Sequence, residues 1–443
     1  MVLRNLSGLE RVWLAANGLA PPFACMAVLE GDTADVDVED LRSAVRRAGE
    51  VTPGLRMKVL GELWWSRWHP VDDPLPVYVV DGSGWDGRSP EGADFLDRPL
   101  SEDGPVADVI LATGGGEQPD RIVFRALHAV TDGRGMWAFV QDVARVMQGG
   151  DPFGAIAGPR TDADAAAELT RRRAEDRTAR YLAPTGAADG GLGKRTWRRR
   201  TLTPFGDKVL PRTVVALGYA VGDIAGAGQV AVDIPVDLRS RTGAFTTANH
   251  TGWVRVDVSR ALGSHRPAEA VAEAIATQVA AGDAGIPVLG AQDLRRLPLW
   301  LLRFLGRRAA ERQWRQGLHP VSATVSNLGR IDRSAVSWPG FTCRSAYWVP
   351  PPSFGLPLLM ILCGHEEGIE LTASAPEAFA TGGRLDALLD GIVAHLPAQP
   401  SSHQAGPGGG VGPPGGLPAP RVELGPLPQA QALDEKPGGD GEG

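Results

Sequence analysis

The stretch that most constrains this chain is RIVFRALHAVTDGRGMWAFVQDVARVMQ, running from Arg121 to Gln148. Arg121 to Leu127 alternates and is rich in branched side chains, the pattern of a strand. Met136 to Met147 carries apolar residues at helical spacing. Between the two stand His128, Thr131, Asp132, Gly133 and Gly135. A strand that ends on histidine and turns through Asp-Gly-x-Gly into a helix leaves its imidazole at the strand end with little freedom to move.

An imidazole titrates near neutrality, so it can take a proton from an alcohol, amine or thiol and return it within one cycle. Asp132 has two readings. Directed at the ring, it orients the imidazole as a triad carboxylate does; directed away, it braces the turn through an arginine. The plainer account makes His128 a structural histidine and Asp132 the cap of the following helix. The strand before, the glycines and the helix behind favour a base.

The rest of the composition narrows the class. With 443 residues, 43% of them hydrophobic, the chain can bury two ordinary cores. A net charge of -7 with mixed signs argues against a nucleic-acid binder. Cys25, Cys343 and Cys363 lie far apart in apolar runs without metal-ligand spacing, which reads as buried free thiols in a reducing compartment. Met1 to Asn17 is expected to be an amphipathic helix containing Glu10 and Arg11, not a signal peptide, and no uncharged run reaches a membrane span. A cytoplasmic location is expected.

Along the chain, strands are expected at Phe23–Leu29, Leu55–Leu60, Val77–Val80, Val109–Ala112, Trp197–Leu202, Gln229–Pro235, Trp253–Val258 and Val321–Ser326. Phe341–Val349 and Leu356–Gly364 read as paired strands, with Gly368–Ser374 a third. Helices are expected at Val38–Ala48, Ala163–Tyr181, Val209–Ala220, Pro267–Ala280, Leu294–Arg315 and Leu385–Leu396. Trp64, Trp65 and Trp68 form a dense aromatic cluster, either core or the lining of an acyl pocket. Pro184–Lys194 reads as a glycine-rich hinge between residues 1–183 and 195–396. Residues 397–443 hold few large apolar side chains and are expected to be disordered. No P-loop, dinucleotide fingerprint or Gly-x-Ser-x-Gly elbow is present.

His128-Ala-Val-Thr-Asp132-Gly133 resembles the His-x-x-x-Asp-Gly signature of the chloramphenicol acetyltransferase-like superfamily. That group includes peptide-synthetase condensation domains, polyketide-associated acyltransferases and wax ester synthase-type acyltransferases. Leu127, not a second histidine, precedes His128, which points to a freestanding acyltransferase. Pro235-Val236-Asp237-Leu238-Arg239 resembles a second signature ending in arginine, so Arg239 is the first candidate to hold Asp132 and Arg56 the second. Asn249-His250-Thr251-Gly252 resembles the loop found next in relatives. Ser326-Asn327-Leu328-Gly329 resembles a Ser-Asn-x-x-Gly stretch, here one residue shorter, that lies across the channel from the histidine.

The resemblance implies an α/β fold of two lobes, each a mixed sheet flanked by helices, with a tunnel between them. It implies an acyltransferase that moves an acyl group directly from a coenzyme A or acyl carrier protein thioester to a hydroxyl or amine acceptor. In that reading His128 is the base, with Asp132, Gly133 and Ser326 beside it and Arg239, Asn327 and Gly329 in support; no metal or resident cofactor is expected. The alternatives are a catalytically silent scaffold that binds a carrier protein or partner enzyme, and a thioesterase or cyclase. The Leu294–Arg315 helix could dock on an acidic carrier or a membrane surface, or simply pack on the core.

Overall fold

The computed structural model describes residues 4–32, 36–63, 65–116, 118–154, 181–191, 194–204, 206–226, 229–242, 246–284, 297–352 and 355–396. The charged helix expected up to Tyr181, save that last residue, and the tail 397–443 lie outside the described residues. Ahead of the glycine-rich loop come β1 (Arg4–Asn5), β2 (Ala24–Asp32), β3 (Met57–Leu60), β4 (Arg67–Pro70), β5 (Val77–Asp81), β6 (Ala107–Thr113) and β7 (Asp120–Leu127). After it come β8 (Arg195–Leu202), β9 (Ala231–Asp237), β10 (Thr251–Asp257), β11 (Ala323–Arg330), β12 (Thr342–Val349), β13 (Leu359–Gly364) and β14 (Ile369–Pro376).

These strands build two mixed sheets and a small antiparallel one. The first large sheet has the order β12-β2-β7-β6-β5, parallel only between β5 and β6. The second has the order β10-β9-β11-β13-β14-β8, with β11 parallel to both neighbours. The third, β1-β4-β3, pairs short segments. One apolar core lies around the first large sheet and a second around the other, so the chain is two-lobed, with helices against each sheet. Helices Val38–Glu50 and Gly133–Met147 pack on each other beside the first sheet, whereas Val209–Ala225, Pro267–Ala280 and Arg384–His395 belong to the second. No helix among the described residues is long and apolar enough to cross a membrane.

Several local expectations are corrected. The first helix starts only at Gly8, because Ser7 and Glu10 form a capping box: Ser7 Oγ accepts from Glu10 N–H at 3.1 Å and the Glu10 carboxylate accepts from Ser7 N–H at 2.8 Å. The strands expected to pair across Pro350 do not. β12 lies antiparallel on β2, while β13 lies between β11 and β14. Three consecutive prolines, Pro350–Pro352, cannot make a tight hairpin turn, and Ala346–Val349 is buried without alternation, as suits a strand covered on both faces. The tryptophan cluster also dissolves: Trp68 is fully buried on β4, Trp65 is 50% exposed with its ring over Gly61, and Trp64 lies outside the described residues.

The two large sheets share a buried polar cluster. Arg199 on β8 binds Glu370 on β14 at 2.8 Å and Ser345 on β12 at 2.9 Å, and it reaches Glu30 on β2 at 3.3 Å. Glu30 also accepts from Arg121 on β7 at 2.8 Å. Burial alone would push the Glu370 carboxyl up, but His365, Arg199 and Ser345 hold it down to about 2. Ions this deep persist only with matched partners, so the cluster fixes how the sheets meet.

Candidate active site

β7 is buried from Arg121 to Leu127 and delivers His128 at its end. The ladder with β2 extends one residue further: His128 N–H donates to the Phe23 carbonyl at 3.0 Å. On the other side the Asn249 side-chain amide donates to the His128 carbonyl at 2.6 Å. With both main-chain groups held, the imidazole is positioned by backbone. One side of the ring meets aromatic neighbours. Trp13 stacks at 5.1 Å and 23°, Phe23 at 5.7 Å and 26°, and Trp253 leans on Trp13 at 6.5 Å.

The His128 residue is half-buried, but its Nδ1 is not exposed and makes no well-formed hydrogen bond. Burial pulls the imidazole below its usual 6.5, and the carbonyls of His128 and Thr131, Asp132 and Asn249 offset only part of the drop. The ring is therefore neutral at pH 7, the form that accepts a proton.

Asp132 turns away from the ring. Its Oδ1 accepts from Gly135 N–H and Arg239 Nη2, both at 2.9 Å. Its Oδ2 accepts from Arg239 Nη1 at 3.1 Å, His250 N–H at 2.9 Å and Thr251 Oγ1 at 2.8 Å. Asp132 thus caps the Gly133–Met147 helix and clamps the segment after β9 in the same act. Burial opposes its charge, yet Arg239, His250 and Gly135 bring the carboxyl down to about 2. Arg239 is also held by the carbonyls of Thr246 and Ala248 and by Asp237. Arg56, the second candidate, lies elsewhere, donating to the carbonyls of Asp72 and Asp73.

Two glycines let the lobes approach. A Cβ on Gly135 would stand 2.0 Å from the Thr247 carbonyl oxygen and 2.5 Å from Thr131 Oγ1, which itself donates to that carbonyl at 2.7 Å. A Cβ on Gly133 would meet Leu328 Cδ2 at 2.7 Å. The Ser326–Gly329 stretch therefore reaches the motif through Leu328. Ser326 is half-buried on β11 beside Ile361 of β13, while Asn327 Oδ1 accepts from Gly329 N–H at 3.0 Å and shapes a bulge within β11, between Asn327 and Arg330, in which Gly329 adopts φ 82°.

The structure thus brings His128, Asp132, Gly133, Arg239 and the β11 bulge after Ser326 to one junction and leaves Arg56 out. It places Asn249 and Thr251 of the Asn249–Gly252 loop at the junction and adds Trp13, Phe23 and Trp253, none of which a short motif marks. Cys25 Sγ lies near the Thr131 carbonyl at 3.4 Å, but burial and then the Asp132 charge push its thiol far up, so it is no nucleophile. Among the described residues no His, Cys, Asp and Glu group could hold a metal ion.

No family model and no curated protein matches the sequence. Solved structures do match it. The first condensation domain of the calcium-dependent antibiotic synthetase, in complex with a substrate analogue, aligns with TM-score 0.64 at 20% identity, covering 89% of this chain and 95% of that one. A second structure of that domain gives TM-score 0.61 at 19% identity over 89% and 95%. A mutant starter condensation domain of rhizomide synthetase in complex with C8-CoA gives 0.60 at 15% over 89% and 93%. Two mixed sheets that meet at a buried polar cluster, spanned by alignments over 89% of the chain, give this protein the condensation-domain fold.

Proposed function

We propose that this protein is an acyltransferase that moves an acyl group from a coenzyme A or carrier-protein thioester to a hydroxyl or amine, with His128 as general base. The observation that carries the reading is the Asp132–Arg239 pair. It engages both carboxylate oxygens away from the ring and leaves a neutral imidazole at a fixed strand end. With Nδ1 buried, Nε2 is the nitrogen assigned to the substrate.

In this mechanism Nε2 removes the proton of the acceptor O–H or N–H as that atom attacks the thioester carbonyl. The tetrahedral intermediate then expels the thiolate, which takes the proton back from the imidazolium. Such a base contributes about 10²- to 10⁴-fold. Ser326 Oγ or a backbone N–H of the adjoining bulge is assigned to the oxyanion, a role worth roughly 3 to 4 kcal/mol in a formed site. Holding two substrates in line, in a tunnel between lobes taken as 1–183 and 195–396, supplies the rest. The donor's C8-CoA counterpart in the rhizomide starter domain supports a thioester of this class.

The test is the mass of small-molecule products after incubating the protein with acyl-coenzyme A thioesters and mixed alcohols and amines. A new acylated product absent with His128→Ala supports the reading. Thiol release at equal rates with and without acceptors, and no acylated product, would replace transfer with hydrolysis.

A further inference from the structure

Five of the eleven large hydrophobic side chains exposed among the described residues gather at one place. Leu63 and Trp65 belong to the turn between β3 and β4; Trp300, Phe304 and Leu305 belong to the first two turns of the Leu299–Gln316 helix. The segments touch. Leu299 N–H donates to the Glu62 carbonyl at 2.9 Å, and the buried Arg11 guanidinium donates to the carbonyls of both Leu63 and Leu297. Trp65 is 50% and Trp300 57% exposed, too much for packing inside this chain to explain them.

The same helix carries five arginines against one glutamate, +4 in a chain of net -7. Arg303 is paired with Glu102 and Arg315 with Glu311. Arg307, Arg308 and Arg312 are exposed, and Arg308 lies over the Phe304 ring at 5.4 Å. Glu62 is the acidic side chain exposed in the adjoining turn. The helix's other face packs on the Gly8–Leu19 helix, where Leu19 approaches Gly306 and Arg303 lies over Gly18. That helix also carries Trp13, which stacks on His128.

From this we infer a membrane-docking face: Trp65, Trp300, Phe304 and Leu305 seat in the headgroup region of an anionic bilayer while Arg307, Arg308 and Arg312 meet its phosphates. An interface takes up indole rings and arginines from one surface at once, since the rings sit at headgroup depth and the long arginine stems let their charge stay in the polar layer. A soluble acidic partner would satisfy the arginines without requiring two outward tryptophans. The inference is independent of the reaction assigned to His128.

The experiment is co-sedimentation of the full chain with vesicles of phosphatidylcholine, or of equal parts phosphatidylcholine and phosphatidylglycerol. Binding is expected to the anionic vesicles only and to weaken with salt. The triple variant Arg307→Glu/Arg308→Glu/Arg312→Glu should lose at least about 100-fold in vesicle affinity, and Trp300→Ser/Phe304→Ser more than about tenfold. Quenching of wild-type tryptophan fluorescence by brominated phosphatidylglycerol tests insertion without any variant. No sedimentation with anionic vesicles overturns the proposal, as does binding that both variants retain. So does displacement by soluble polyglutamate that Trp300→Ser/Phe304→Ser leaves unchanged, which would assign the arginines to an acidic protein. A solution dimer that Trp300→Ser dissolves would assign the face to a second copy.

Discussion

Arg239 takes both carboxylate oxygens of Asp132, at 2.9 and 3.1 Å, from 107 residues further along the chain. The pair is buried and joins the turn after β7 to the segment after β9, so it ties local motif geometry to lobe placement. Removing one partner leaves an uncompensated buried charge. Arg239→Ala is therefore expected to lower unfolding free energy by about 3 to 5 kcal/mol. The double variant Asp132→Ala/Arg239→Ala should cost clearly less than the sum of the singles. Urea unfolding of the four proteins checks this, and strict additivity would mean that the two residues do not act as a pair.

His128 makes its positional hydrogen bonds through the main chain. His128→Ala should therefore fold, losing only ring stacking on Trp13 and Phe23, about 1 kcal/mol. Transfer should fall by at least about 10²-fold. Ser326→Ala should slow it less, because a backbone N–H of the adjoining bulge is assigned to the oxyanion as well. Thermal unfolding and turnover measured on the same samples separate the two effects.

Because burial lowers the His128 pKa, the acid limb of kcat/KM should fall at a pH below 6.5. The rate rises as pH climbs through that value, where the imidazole becomes neutral. Asp132, held at about 2, contributes nothing to the limb. An acid limb centred above 6.5 would assign it to another group.

Much of this site was legible because its geometry is short-range. A branched run, a histidine, a Gly-rich turn and a 3.6-residue period define β7, the turn and the helix, and each depends on neighbours in sequence. The arginine-ended strand supplied Arg239 by resemblance alone; its choice over Arg56 is settled by the route of the chain after β9. What stayed hidden is long-range. Trp13 sits on an ordinary amphipathic helix, and nothing local says that its ring stacks on His128. β12 reads like half of a hairpin, and only the free edge of β2, over 300 residues earlier, explains its pairing.

Gly135 and Gly133 make a graded test of lobe approach. A methyl on Gly135 would press on backbone, the Thr247 carbonyl oxygen at 2.0 Å, whereas one on Gly133 meets the end of the Leu328 side chain at 2.7 Å, which can turn aside. Gly135→Ala should cost roughly 2 to 3 kcal/mol and impair the site, while Gly133→Ala should cost about 1 kcal/mol or less. Equal costs in chemical denaturation would mean that Thr247 does not press on the helix start.

His319 gives a pH dependence of stability separate from catalysis. It is fully buried beside Phe379, neither ring nitrogen has a partner, and burial lowers its pKa to about 4. Unfolded, the same ring titrates near 6.5. Between those values the unfolded chain binds a proton that the folded chain excludes, so stability rises with pH across this window and is lost as pH falls from 6.5 to 4. The loss is roughly 3 kcal/mol at the acid end. Asp132 and Glu370, each held at about 2, add their own losses from the acid end of this window downward, as pH falls through the ordinary carboxylate range toward 2. His319→Phe keeps the aromatic packing without the titration. Its stability should therefore decline by roughly 3 kcal/mol less than the wild type's between pH 6.5 and 4, the remaining slope coming from His128, also lowered by burial, and from the carboxylates; parallel curves from denaturant titrations across that range would exclude His319 as a source.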